Sequence, residues 1–511
     1  MRTTILYTLL LACGMGTVHL NAQIITEQWR ALYDRQTEHE ILSKLLIDHQ
    51  QRPSIALVSA PTYDAVYLNS TILQYSPDGT LNWESNYAPT DSMQNVANDA
   101  AIDNENHIIS GGTHDYWGNE SCYVRKNDES GSLDWTRIYD EGGITQRVAR
   151  LTAIGSDIYT FGCPYGNEIR KYDADGDAKW TVSAPFLGAF RKVFVHDSTY
   201  YASMQFHINA QTWYYGVVKY QDSTLLWQQS QESTLSTMNV DEDGNVVVAS
   251  LTYIDTSQTT NNALYIAKYA AQDGQLLWEY IEPYNGWLTM ALAFDEQNNV
   301  LVSNDENNAF LRKISPNGTL LWSVEPPEGY ESSWDFQDLL ADNAGRVYWL
   351  IRDRLFVYSP DGVLLHTHFF TVASPNAETH MQQILFDTTG ALYVAGMANY
   401  ENDVDSLLLV KLSTPETVGF AEANAGILPT TLALHPNPAS LGSGVEVLLP
   451  PQSGLLLEAS INDLQGRTLL PSPLHRDNAL LFDLRSLVLG MYFVRVRTER
   501  GVFTSKLLVQ H

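Results

Sequence analysis

Tyr75-Ser-Pro-Asp-Gly-Thr-Leu-Asn-Trp83 decides the fold, because the chain repeats it. Tyr172-Asp-Ala-Asp-Gly-Asp-Ala-Lys-Trp180, Tyr269-Ala-Ala-Gln-Asp-Gly-Gln-Leu-Leu-Trp278 and Ile314-Ser-Pro-Asn-Gly-Thr-Leu-Leu-Trp322 keep its order of apolar strand end, polar turn with glycine, and indole. The stretches ending at Trp135 and Trp227 follow more loosely, and Tyr358-Ser-Pro-Asp-Gly-Val-Leu-Leu-His366 keeps the turn but loses the tryptophan. From Trp83 the spacings are 52, 45, 47, 51, 44 and 44 residues. A period of about 40–50 residues built from short strands predicts propeller blades rather than a helical solenoid.

Upstream in each period stands a second hairpin, as in Met238-Asn-Val-Asp-Glu-Asp-Gly-Asn-Val-Val-Val-Ala-Ser250 and Ile384-Leu-Phe-Asp-Thr-Thr-Gly-Ala-Leu-Tyr-Val-Ala-Gly396. Asp at a turn start bonds the backbone two residues on, and Gly or Asn accepts positive φ. Each period therefore reads as a four-stranded antiparallel blade. Such hairpins fall near 45–59, 98–112, 150–162, 192–203, 238–250, 291–303, 338–351 and 384–396, which makes eight. The last is followed by Ser406-Leu-Leu-Leu-Val-Lys-Leu412, a third strand with no fourth, while Gln28-Trp29-Arg-Ala-Leu-Tyr33 is an outer strand with no hairpin before it. Pairing the two would close the ring and leave no open seam. The expectation is an all-β chain with an eight-bladed β-propeller; seven blades is the alternative, because the third and fourth periods have weak turns. Trp29, Trp83, Trp135, Trp180, Trp227, Trp278 and Trp322 are expected to be structural.

Composition agrees. Of 511 residues, 44% are hydrophobic and only 17% charged, and the 28 Tyr and 12 Trp suit pleated surfaces. With 30 Lys+Arg against 59 Asp+Glu, the net charge of −29 argues against nucleic acid, whose phosphates need clustered cations. Residues 1–22 read as a secretory signal peptide: Arg2, an apolar run, and small residues before Gln23. A lipoprotein box at Leu10-Leu11-Ala12-Cys13 is the rival reading. No other run is long and apolar enough for a transmembrane helix. Cys122 and Cys163 would remain after cleavage, and an exported chain can oxidise them.

The Gly-x-x-x-Trp repeats resemble the tryptophan-docking repeats of quinoprotein-like and related bacterial extracellular propellers, in which the indole packs between blades. The resemblance speaks to architecture, and no quinone-binding set is identifiable. From about Ala433 the composition changes: residues 427–511 carry +1, against −31 for 23–426. Leu434-His-Pro-Asn-Pro-Ala-Ser440, Ile461-Asn-Asp-Leu-Gln-Gly-Arg467 and Gly490-Met-Tyr-Phe-Val-Arg-Val496 resemble the C-terminal sorting domain of type IX secretion cargo in Bacteroidetes-type bacteria. Pro436, Asn437, Pro438, Asp463, Gly466, Arg467, Gly490 and Tyr492 carry that resemblance. It implies outer-membrane translocation by the type IX machinery and a secreted or cell-surface product. Alternating apolar strands predict a small antiparallel, immunoglobulin-like β-sandwich. The expected organisation is signal peptide 1–22, propeller 23–412, linker 413–431 and sorting domain 432–511.

For a ligand, the sequence offers aromatic loops: Tyr116 and Trp117 after His114, then Trp213, Tyr214 and Tyr215, then Tyr400, with Trp287, Tyr330 and Trp334 in the connections between blades. Flat rings stack on sugar faces, and neighbouring carboxylates and amides accept hydroxyl protons. Asp173, Asp175 and Asp177 place oxygens at alternate positions, as calcium requires, but no bidentate Glu completes an EF-hand loop, and hairpin turns are the favoured reading. No other cofactor is expected. No Gly-x-Ser-x-Gly, His-Glu-x-x-His, phosphate loop or Cys-x-x-Cys is present. The favoured function is therefore non-catalytic binding of a glycan or surface protein. The alternatives are a polysaccharide-acting enzyme with carboxylates meeting in the channel, and a purely structural surface component.

Overall fold

The computed structural model describes residues 25–510 except 35–38, 61–67, 89–94, 115–120, 140–146, 164–165, 197, 210–211, 234–235, 254–261, 285–289, 305–308, 328–336, 373–377, 400–404, 415–431, 449–455, 463–467, 471–473, 477–478 and 499–500. The signal peptide, the lipoprotein alternative and all but the start of the expected linker lie outside the described residues. The chain divides into two units, Met1–Pro415 and Glu416–His511.

Among the described residues, the first unit holds eight four-stranded antiparallel sheets. Sheets 1 to 7 each use four consecutive strands, spanning 39–87, 95–139, 150–183, 188–232, 236–283, 290–324 and 337–369. Sheet 8 joins Glu378–Phe386, Leu392–Asn399 and Asp405–Ser413 to Thr26–Tyr33 from the other end of the chain. Trp29 stands opposite Lys411 and Tyr33 opposite Leu407, as the unmatched strands foretold. Where other sheets have an outer hairpin, two chain ends are fastened by side chains: Thr26 N donates to Ser413 Oγ at 3.1 Å, and the two hydroxyls lie 2.6 Å apart.

The first strand of each sheet contacts those of both neighbours, and that of sheet 8 contacts that of sheet 1. The apolar cores follow the same cycle. Each is shared by two neighbouring sheets, from Leu73 and Tyr75 against Tyr393 and Leu409 to Tyr348 and Val357 against Met381 and Val410. The arrangement is consistent with a β-propeller.

Local chemistry explains the hairpins. Asp48, Asp103, Asp241, Asp295, Asp342 and Asp387 each accept the N–H groups two and four residues on through one carboxylate oxygen. Sheets 3 and 4 lack this device. Their first hairpins turn in two residues, with Ile154 opposite Asp157 and His196 opposite Thr199, which is why their turn signals read weakly.

The indoles stitch sheet to sheet. Trp29, Trp83, Trp135, Trp227, Trp278 and Trp322 donate Nε1 to the carbonyls of Pro77, Glu129, Ala174, Ala271, Pro316 and Pro360 in the outer turn of the next sheet, at 2.7–3.1 Å. Trp180 meets a turn without glycine: Asp222, at φ 51°, supplies a carboxylate oxygen at 3.2 Å instead. Lysine joins in at several seams. The Pro360 carbonyl, which takes Trp322, also accepts Lys313 Nζ at 3.2 Å, and Lys313 lies 2.7 Å from the buried Asp295 carboxylate of its own sheet. His366 occupies the indole position of sheet 7, where the next sheet offers two chain ends rather than a turn glycine.

Burial works against ionisation of Asp295, but hydrogen bonds from Lys313 and Asn299 outweigh it and hold the carboxyl below the usual range. A depressed folded pKa stabilises the fold above the unfolded value of about 3.9, and that contribution disappears as pH falls through the folded value. Asp295→Asn is therefore expected to lower stability by about 3 kcal/mol near neutrality, because it leaves Lys313 buried without its carboxylate. The gap from wild type should begin to narrow below about pH 4 and close as pH falls through the lower folded value. Urea titrations of both proteins at pH 7 and pH 3 check this; a gap unchanged with pH would contradict it.

Cys122, in the third strand of sheet 2, and Cys163, beyond the second strand of sheet 3, form a disulfide with Cα atoms 6.1 Å apart. The bond ties neighbouring sheets together.

The second unit has a four-stranded and a five-stranded sheet packed on one core that includes Leu434, Val447, Phe482, Ile461, Val494 and Leu507. One pairing departs from the expected antiparallel pattern: Ala439–Ser440 runs parallel to the last strand, Gly501–Gln510. Two residues can join that strand in either direction, because the chain arrives from the Pro436–Pro438 segment and leaves at once through Gly442.

Candidate functional site

Two ends of the sheets differ in what they offer. The hairpins between first and second and between third and fourth strands share one end, and there the indoles and glycines interlock. The other end carries the second-to-third connections and the links between sheets, where the sequence places the aromatic candidates. Tyr116, Trp117, Trp287, Tyr330, Trp334 and Tyr400 lie outside the described residues.

Trp213, Tyr214 and Tyr215 are described, and they correct one expectation. They belong to a strand, Thr212–Gln221, not to a loop. With Thr199–Asn209 it makes a long hairpin in sheet 4, and His207 stands opposite Trp213. The alternation of a strand then turns Tyr214 to the face opposite Trp213 and Tyr215. Trp213 remains 38% exposed, Tyr214 is half-buried, and Tyr215 is 1% exposed with its hydroxyl 3.0 Å from that of Tyr269. Tyr215 is thus a core residue. Behind Trp213 runs an aromatic stack: Phe206 packs on Phe186 at 4.7 Å and 9°, and on Tyr214 at 5.6 Å and 25°. The stack stiffens the end that presents Trp213 to solvent.

At the centre of the cycle the first strands carry a polar ring that sequence reading missed. Ser43, Asn98, Arg191 and Gln382 sit in bulges of these strands, and Lys44, Asp99, Lys192 and Gln383 follow them. Several of these side chains cross to the neighbouring first strand. Asp99 accepts Leu151 N at 3.0 Å, Asp338 accepts Ile384 N at 3.0 Å, Gln383 accepts Leu45 N at 2.8 Å, and Asn239 donates to the Leu292 carbonyl at 3.0 Å. Burial pushes the Asp338 carboxyl up, against the N–H groups and the lysines that favour its charge. The signal was present: charged residues in the middle of otherwise apolar strands.

Asp173 accepts the N–H groups of Asp175 and Asp177 at 3.2 and 2.8 Å, and Lys179 pairs with its other oxygen. These bonds organise a hairpin turn. Among the described residues no group of three or more His, Cys, Asp or Glu is placed to hold a metal ion.

In the second unit, Asn437 acts as a one-residue strand. Its Nδ2 donates to the Lys506 carbonyl at 2.7 Å, and its Oδ1 accepts Leu508 N at 3.0 Å. Pro436 and Pro438 flank it at the surface. Gly490 opens the strand that carries Tyr492, and the Tyr492 hydroxyl donates to the Val488 carbonyl at 2.8 Å and accepts Val488 N at 3.2 Å. Asp463, Gly466 and Arg467 lie outside the described residues.

Residues 433–510 match the family described as the secretion system C-terminal sorting domain. The match indicates export to the cell surface or secretion. No curated protein matches the chain. Among solved structures, one of the mitotic checkpoint complex is 10% identical, covers 62% of this chain and 86% of its own, and has a TM-score of 0.39. A gluconolactonase from Xanthomonas campestris is 15% identical, with 62% and 85% covered and a TM-score of 0.30. A protein of unknown function from Bacteroides caccae is 13% identical, with 50% and 89% covered and a TM-score of 0.27. All three are loose overlaps. No helix among the described residues is long and apolar enough to cross a membrane.

Proposed function

We propose that this exported chain is a non-catalytic, eight-bladed propeller of the tryptophan-docking kind that binds a glycan, carried to the cell exterior by its C-terminal domain as type IX cargo. The observation that carries the binding reading is Trp213: a large flat ring left exposed at the tip of a hairpin braced by stacked aromatics. Asp99 and Asp338 each engage both carboxylate oxygens with main-chain N–H groups, which favours a scaffolding role for them over general acid–base work.

Two variants of the full chain test this. Deletion of 432–511 is expected to leave the protein inside the cell envelope, read by fractionation. Trp213→Ala is expected to leave export intact and weaken polysaccharide binding by about tenfold on a glycan array, the cost of one stacking ring. Release of reducing sugar by the wild type would replace binding with catalysis. Binding unchanged in Trp213→Ala would remove this face from the account.

A further inference from the structure

Sheets 3 and 4 bring together three cations, Arg150, Arg191 and Lys192, that make no ion pair among the described residues. Arg150 opens the first strand of sheet 3, donating through Nε to the Arg191 carbonyl at 2.5 Å and through Nη1 to the Ala149 carbonyl at 2.6 Å. Arg191 occupies the bulge of the first strand of sheet 4. It gives Nη2 to Gln205 at 2.5 Å, while its buried Nε has no partner among the described residues. Lys192 follows it. No carboxylate of a described residue lies within 4.0 Å of these three side chains. The exception is plain beside the other lysines of the unit, each of which has a carboxylate or carbonyl partner, from Lys44 with Asp99 at 3.6 Å to Lys411 with Asp387 at 3.9 Å. Three cations without an ion pair among the described residues, Lys192 with neither a carboxylate nor a carbonyl partner there, stand out in a chain of net charge −29.

Lys192 also lies where the sheets converge. The charges that act on its ammonium are Asp338 from sheet 7, Lys44 from sheet 1, Arg150 from sheet 3 and Asp99 from sheet 2. A side chain of sheet 4 can feel sheets 7 and 1 only near the axis, since they lie across the ring. Lys192 is solvent-exposed even so, and surrounding protein disfavours its charge. Lys192 thus lies near the axis, open to water, with charged groups of sheets 1, 2, 3 and 7 acting on its ammonium. Asp338 and Asp99, the carboxylates there, are held by main-chain N–H groups, and Asp99 also faces Lys44.

We propose that the axis beside sheets 3 and 4 binds a small oxyanion, a carboxylate or sulfate carried free or as the acidic substituent of a sugar, held by Lys192 and Arg150 with Lys44 across the ring. Ammonium and guanidinium groups are the natural partners of such oxygens, and the surrounding protein strengthens the pairing relative to open water. The surrounding negative charge repels long polyanions, so the site suits a single anionic group. The inference does not depend on the reading of Trp213, which lies in the third strand of sheet 4 near the tip of its hairpin, whereas Lys192 lies in the first strand.

The test titrates the mature full-length protein with sodium sulfate, D-glucuronate and D-glucose at constant ionic strength, following melting temperature and heat of binding. Sulfate or glucuronate is expected to bind saturably and raise the melting temperature, and glucose to do neither. A sulfate-only response marks a free inorganic anion as the ligand; a stronger glucuronate response marks an acidic sugar. Lys192→Met should weaken binding by about tenfold or more, while Trp213→Ala leaves it unchanged. Without anion, Lys192→Met should melt no lower than wild type, because it removes an unpaired ammonium. Lys192→Gln provides a second reading of the same titration. The proposal falls if neither anion binds the wild type, if both lysine variants bind within twofold of it, or if neither variant folds, which would make Lys192 structural.

Discussion

A chain truncated to begin at residue 34 is expected to lose its cooperative fold. The missing strand, Thr26–Tyr33, supplies the fourth strand of sheet 8 and one side of its seam with sheet 1. Without it, the strand Asp405–Ser413 becomes an unpaired apolar edge in which Leu407, Leu408, Leu409, Val410 and Leu412 are otherwise buried. The loss removes the Trp29 bond to the Pro77 carbonyl and its edge-on packing against Tyr393. Trp29 is half-buried, so its loss costs less than the ~3–5 kcal/mol of a fully buried tryptophan, but the uncovered leucines and valine of the exposed edge add to it. Circular dichroism should show the melting transition broadened or absent, and the exposed edge should drive aggregation. Grafting residues 26–33 after Ser413 through a two-residue turn should restore the transition, because the graft offers the same pairing from one end of the chain. A truncated chain that melts like wild type would mean that the strand is an ornament and the ring closes without it.

The second large effect is at Gly131. Its φ is 85°, and a Cβ added there would lie 2.4 Å from Trp83 Cδ2. Gly131→Ala therefore combines a strained backbone, about 1–2 kcal/mol, with displacement of an indole that donates to the Glu129 carbonyl, about 1–3 kcal/mol more. Gly390 is the control. It has φ of 83° but nothing within 4 Å of the added atom, so Gly390→Ala should cost only the backbone share. In the double variant Trp83→Ala, Gly131→Ala, the losses should fall short of their sum, because removing the indole removes the collision. Urea midpoints of the five proteins, wild type included, decide it. Equal losses at Gly131 and Gly390 would show that the indole does not press on the turn.

The contrast between sheets 3 and 4 and the rest shows what sequence patterns convey. Where a hairpin needs five residues, an aspartate must satisfy two turn N–H groups, so Asp241 or Asp387 announces it. Where two residues suffice, as after Ile154 and His196, the turn leaves little trace. The aromatic candidates fared differently. Trp213 and Tyr215 stand on the same face of their strand, two residues apart, yet one faces solvent and one is buried, because Trp213 lies near the end of its hairpin and Tyr215 further into the sheet against Tyr269. The axial group of Arg150, Arg191 and Lys192 was not legible, since Arg150 comes from one period and the Arg191–Lys192 pair from the next, and no local spacing joins them.

Local chemistry alone determined the sheets, their order and the character of the second unit. Turn residues, strand alternation and the indole–glycine pairing are satisfied within a few dozen residues, and a repeat states them several times over. Tertiary structure decided which charges meet at the axis, that Cys122 reaches Cys163, and which aromatic ring is left in water. Those outcomes depend on distances between strands far apart in the chain, and such distances exist only once the ring is closed by pairing its two ends.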